Sequence, residues 1–176
     1  MKKAAIVALC TFVALPAAAQ SLGEKTGVDS ALGVTPSTED FVKQAAMSDM
    51  FEIQSSQLAL QKGDAQAKTF AQHMITDHQK TTADLQGMVK SGAVKVQPPA
   101  RLDSSMQDKL DKLKKETGRD FTSTYDEDQV SAHKDAVSLF ERYAKGGDNT
   151  QLKDWAGKTL PTLQQHLQMA QGLNKS

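Results

Sequence analysis

The chain contains four histidines, and three of them fall on the apolar stripes of three different helical stretches. His78 follows Met74 by four residues and precedes Leu85 by seven. His133 stands four before Val137 and seven before Phe140, while His166 comes three after Leu163 and four before Ala170. Residues three, four or seven apart share one side of an α-helix, so each ring is expected to face the interior with its apolar neighbours. On the first helical stretch the matching inward polar residue is Glu52, seven after Ala45, four after Ser48 and seven before Ala59. That pattern gives one inward ionisable side chain on each of four helices.

Two kinds of chemistry fit this pattern. Glu52, His78, His133 and His166 form a candidate metal centre, because imidazole and carboxylate together suit a zinc, copper, iron or nickel ion. The interiors of helical bundles are where such sites are assembled from facing helices. In the second reading the rings lie at separate heights, each bonded to its own carbonyl or acid, and the protein is a metal-free structural or interaction module. Either way the four groups need partners or altered protonation, since bare buried charge is costly. Asp77, beside His78, has two roles open to it. It can orient a ring from behind, or share a solvated face with His73 and Lys80, where an i,i+4 pair adds only a few tenths of a kcal/mol.

Other features point to core rather than chemistry. Met47, Met50, Met74, Met88, Met106 and Met169 are spread over several helices with no tight thioether cluster, which reads as core filling. Pro161 lies within the last helical pattern, where it should clash with the carbonyl of Gly157 and bend the helix. There is no GxSxG, P-loop, dinucleotide fingerprint or HExxH, so the reading leans away from an enzyme.

The elements that must hold these residues are helical. The first main helix is expected from Ser37 or Thr38 to Lys62, with Glu39 and Asp40 in its first turn and Gly63 as its stop. Asp64 caps the second, which runs to about Ser91, where Gly92 and Pro98-Pro99 end the helical pattern. A shorter helix with Leu102, Met106, Leu110 and Leu113 on one side follows, closed by Gly118. The third main helix is expected from about Asp120 to Lys145. Asp148 with Gln151 resembles a capping box for the fourth, which carries Leu152, Trp155, Leu160, Leu163 and Leu167. Each main helix is about 25 residues, roughly 37 Å long. Tight 1–2 and 3–4 connections require antiparallel hairpins. The long 2–3 crossover with its own short helix predicts an all-α, ferritin-like antiparallel four-helix bundle over residues 37–174.

Residues 1–19 read as a secretory signal: Lys2 and Lys3, a short apolar run, Pro16, and Ala17-Ala18-Ala19 before the cut. The apolar run of about twelve residues is too short to cross a bilayer, which takes roughly twenty. Cys10, the one cysteine, lies inside the signal behind Leu9, which excludes both lipid attachment there and any disulfide in the mature chain. Residues 20–36, rich in Gly, Ser and Thr, read as a flexible lead-in. The mature protein is expected to be soluble and periplasmic, or peripherally associated with the outer membrane. Without Lys2 and Lys3, 19 basic residues face 21 acidic ones. That balance predicts neither nucleic-acid binding nor attraction to an anionic membrane. A homo-oligomer through the exposed side of the first or crossover helix stays open, and no protein partner is indicated.

The segments FAQHMITDHQKTTADL, GRDFTSTYDEDQVSAHKDAVSLFERYA and LKDWAGKTLPTLQQHLQMA, with FVKQAAMSDMFEIQSSQLAL before them, closely resemble the bacterial domain-of-unknown-function family 4142, often labelled predicted outer-membrane proteins. The likeness spans about residues 38–172. It implies a ferritin-like bundle and export, and carries the motif positions onto Glu52, Asp77, His78, His133, Pro161 and His166. An outer-membrane barrel does not fit, because no strand pattern is present. Ferritin-like di-iron proteins use Glu-x-x-His on two helices. Here Ile75, Val130 and Leu163 stand three before the histidines, which predicts one metal ion or none.

Overall fold

The computed structural model describes residues 33–173, and within them the chain forms five α-helices and no strand. The expected signal, and most of the lead-in, fall on residues 1–32, outside the described residues. Helix α1 spans Thr38–Lys62, α2 Ala65–Lys90, α3 Ser104–Lys115, α4 Gly118–Gly146 and α5 Thr150–Leu173. No helix is long and apolar enough to cross a membrane among the described residues.

Local chemistry sets the boundaries. Ser37 caps α1 by accepting from the Asp40 amide at 3.1 Å, and Glu39 and Asp40 sit favourably in its positive first turn. Gly63 ends α1 in an extended conformation, its N–H bonded to the Ala59 carbonyl. A Cβ there would lie 2.7 Å from that carbonyl oxygen and 2.9 Å from the Ala67 Cβ, so glycine is required by close approach. Asp64 then caps α2 through the Ala67 amide.

Two sequence expectations are corrected at helix starts. Gly118 does not close the short helix: α3 ends at Lys115, and Gly118, with φ +58°, begins α4. The left-handed turn redirects the chain into α4, which therefore starts two residues before Asp120. Nor does Asp148 cap α5. Asn149 does, accepting from the Leu152 amide at 3.0 Å, while the Asp148 carboxylate accepts from Thr38 and Tyr143 instead. Asp148 is thus drawn away to tie the start of α1 to the end of α4.

The four long helices pack in a ring: α1 on α2 and α4, α5 on α4 and α2, with α3 against α1 and α4. Contacts fix the directions. Asp49 meets His78 and Thr82 across the Gly63 turn, so α1 and α2 are antiparallel. Phe41 meets Tyr143 at one end and Ser56 meets Tyr125 at the other, so α1 and α4 are antiparallel. Hence α2 and α4 run parallel on opposite corners, and residues 91–117 must return the length of the molecule between them. Lys62 holds that return in place by donating from Nζ to the carbonyls of Leu113 (3.2 Å), Lys114 (2.6 Å) and Glu116 (3.1 Å) at the end of α3.

The apolar interior is divided in two. One cluster gathers Phe41, Leu85, Phe140, Tyr143, Leu152 and Leu163. The other gathers Phe51, Phe70, Met74, Leu113, Tyr125 and Ala170. Between them, on each helix of the ring, lies a layer of buried polar residues: Asp49, Glu52, His78, Gln129, His133 and His166. Phe41 anchors the first cluster, stacked on Tyr143 at 3.9 Å and edge-on to Phe140 at 5.1 Å. Phe41→Ala should therefore lower unfolding free energy by about 3–5 kcal/mol in urea denaturation. A loss below about 1 kcal/mol would mean that the cluster is not close-packed.

Candidate metal centre

Each helix of the ring contributes to the polar layer. Helix α1 brings Asp49 and Glu52, one turn apart; α2 brings Asp77, His78, Thr81 and Thr82; α4 brings Gln129 and His133; α5 brings His166. The three imidazoles converge. Their ring centres are 5.7 Å (His78–His133), 5.5 Å (His78–His166) and 5.4 Å (His133–His166) apart, and one ring nitrogen from each lies within 4.8 Å of the other two. All three side chains are buried.

Hydrogen bonds decide which nitrogens are free. His133 Nδ1 is 2.9 Å from the Gln129 carbonyl oxygen, which only accepts, so Nδ1 carries the proton and Nε2 keeps the lone pair. His78 Nδ1 lies 2.8 Å from Asp49 Oδ1, and His166 Nε2 lies 2.9 Å from Asp77 Oδ2. These carboxylates likewise take the ring N–H. The remaining nitrogens, His78 Nε2, His133 Nε2 and His166 Nδ1, are buried and have no hydrogen-bond partner. Each ring is thus bonded to its own separate group on one side and bare on the other. A carboxylate or carbonyl behind each imidazole is the arrangement that fixes the tautomer of metal-binding histidines.

Asp49 is itself held. Thr81 and Thr82 donate to its two oxygens at 2.8 and 3.0 Å, so it meets the His78 ring in a fixed orientation. Sequence reasoning singled out Asp77 but missed Asp49, Thr81, Thr82 and the Gln129 carbonyl. Asp49 had a legible signal, standing one turn before Glu52 on the same face. A backbone carbonyl leaves no such trace.

Glu52 is not among the converging groups but lies near the side of His133 that faces the Gln129 carbonyl. Its Oε1 is 3.9 Å from His133 Nδ1, and neither carboxylate oxygen has a hydrogen-bond partner. The Gln129 amide lies near enough to favour its charge, but it donates to Ser55 at 3.2 Å. Burial pushes the Glu52 carboxyl up to about 7, against the opposing pull of His78.

The histidines divide in charge. Burial disfavours the charged form of His78, but the Asp49 hydrogen bond and the nearby Glu52 outweigh it, so its pKa is raised. His133 is pulled down to about 3 by burial and by the positive His78 beside it. His166 is lowered by burial, which outweighs the Asp77 hydrogen bond, with His78 adding to the lowering. Three imidazoles this close cannot all be charged, and the one with the best acid partner keeps the proton.

Glu52 gives a pH signature. Its proton is held in the fold up to about pH 7 and released near the ordinary 4.5 when unfolded. Glu52's contribution to the stability of the metal-free protein therefore falls as pH rises between those values and is level above, against the opposite contribution of His133, whose lowered pKa adds stability as pH rises toward 6.5. Glu52→Gln should remove this contribution and raise stability at pH 8 by about 1–3 kcal/mol, with little change at pH 4. Urea midpoints in chelator at both pH values test it, and an unchanged slope in the variant would refute the buried-acid assignment.

Comparison with curated proteins gave no significant match, and comparison with solved structures gave none either. The family profile described as "Domain of unknown function (DUF4142)" matches residues 23–173, which takes in every helix and the whole polar layer. The chain belongs to that family, DUF4142.

Proposed function

We propose that this is an exported envelope protein of ferritin-like architecture that binds one transition-metal ion through His78, His133 and His166, for metal handling or stress tolerance. The observation that carries the reading is the convergence of three buried imidazoles, one nitrogen of each within 4.8 Å of the others, on rings that each have one nitrogen bonded to its own acceptor and one unpartnered. Leaving a buried polar atom unsatisfied costs about 1–3 kcal/mol, so a centre with three such nitrogens and both Glu52 oxygens bare is expensive to keep without an occupant. An ion that accepts three lone pairs removes most of that cost. For zinc at ~2.0–2.1 Å per Zn–N bond, small side-chain shifts suffice to draw the nitrogens in.

Three imidazoles suit zinc, copper, nickel or iron, and nothing in the ligand set prefers the hard cations that take oxygen ligands. Glu52 is the buried carboxylate beside the centre and helps balance the ion's charge. The parallel α2–α4 pair on opposite corners, and the long return between them, support the ferritin-like reading. The departure from Glu-x-x-His at Ile75, Val130 and Leu163 argues for one ion rather than two. The periplasm, or peripheral attachment at the outer membrane, is the compartment that the expected signal over residues 1–19 supports.

Metal content of the mature protein purified without chelator tests the reading. About one equivalent in the parent, lost in His78→Ala/His133→Ala, is expected. Asp49→Ala leaves all three ligands in place and should weaken affinity about 10–100-fold in a competition titration. Absence of metal together with absence of affinity on titration would leave a metal-free helical module whose histidines serve packing alone.

A further inference from the structure

The centre has two unlike flanks. On the α1–α4 side stands Glu52, beside His133. On the α2–α5 side lies a partly enclosed cavity of about 250 Å³ whose wall includes His78 and His166 but not His133. Its remaining lining carries Lys80, Thr162 and Lys158. Lys80 is bound to Asp84 at 2.8 Å, and Asp77 to His166 at 2.9 Å. Lys158, by contrast, pairs with no acid among the described residues, so the cavity wall carries one ammonium that no carboxylate holds.

The geometry points to this cavity as the binding site of a small anion that completes the coordination of the ion held by His78, His133 and His166. The inference rests on the metal reading above and extends it to a second ligand. Three imidazoles leave a four-coordinate ion one position short, which is what separates a reactive centre from a closed structural one. Of the two flanks, only the α2–α5 side combines space well beyond one water molecule with a wall formed by two of the ligand rings. Neutral imidazole ligands leave the charge of a bound dication uncancelled in the first coordination sphere, and Lys158 offers an incoming anion a partner, against the carboxylates of Asp77 and Asp84 in the same wall. A monoanion of two or three heavy atoms, of the size of azide or superoxide, fits within this space.

Copper(II) titration followed by azide titration tests this on the mature full-length chain. Metal uptake is read first, from bound copper, and azide binding second, from a new azide-to-copper charge-transfer absorption. One equivalent of copper and a saturable azide band are expected. Thr162→Phe, which fills the cavity without touching a ligand, should abolish the band or weaken azide affinity at least tenfold while leaving copper stoichiometry unchanged. Lys158→Glu should weaken it about three- to tenfold at low salt, with the difference shrinking as ionic strength rises. Copper bound at one equivalent with no azide band overturns the inference and leaves the metal reading standing. So does an azide band unaffected by Thr162→Phe. Failure to take up any metal overturns both.

Discussion

The structure turns on one constraint: a layer of ionisable side chains crosses the middle of the helix ring, where apolar packing would otherwise be continuous. Asp49, Glu52, His78, Gln129, His133 and His166 are each less than a tenth exposed. Such groups are costly to bury unless their polar atoms are met, and the local architecture meets one nitrogen of each ring while leaving the other bare. Thr81 and Thr82 hold Asp49, Asp49 holds His78, Asp77 holds His166, and the backbone of α4 holds His133. The two apolar clusters above and below fix the helices that carry them. Phe70 from the lower cluster also stands edge-on to His133, with centroids 6.1 Å apart, so the hydrophobic packing limits where that ring can turn.

Much of this was legible in the sequence because helical periodicity reports facing. Spacings of three, four and seven put Glu52, His78, His133 and His166 among apolar neighbours, and all four are buried. Gly63 and Asp64 announce the first hairpin as clearly. Local signals failed where a long-range partner competes for the same side chain. Asp148 has the sequence look of a cap, yet Thr38 and Tyr143, from two other stretches, take its carboxylate and leave the cap to Asn149. Gly118 looks like a stop but supplies the left-handed turn that starts α4, and one-dimensional pattern does not separate the two uses. Periodicity also gives direction without height. It turns Glu52 inward but does not say that its carboxylate stops near His133 Nδ1, outside the converging set.

The two readings of the histidines, anchored core residues or convergent ligands, turn out not to exclude each other in geometry. An imidazole has two nitrogens, and anchoring one to an acceptor leaves the other with its lone pair aimed elsewhere. Three anchored rings on different helices have no general reason to converge. That they do so here, from α2, α4 and α5, is the part that core packing alone leaves unexplained. Packing would be better served by three leucines, which need no hydrogen bonds and leave no bare nitrogen.

Charge balance gives the same assembly a direction. With no ion, the Asp49 hydrogen bond and the nearby Glu52 favour an extra proton on the His78 ring, while burial favours a protonated Glu52. A dication joining the three nitrogens needs His78 Nε2 as a lone pair, so that proton must leave as the metal arrives. Asp49, Asp77 and Glu52 then stand around the cation, and the added charge favours an ionised Glu52 over the protonated form that burial prefers. The acids around the rings therefore suit two occupants, a proton in the empty centre and an ion in the filled one. On the metal reading proposed above, exchange between them would make the centre's affinity for metal depend on pH, rising as His78 becomes easier to deprotonate.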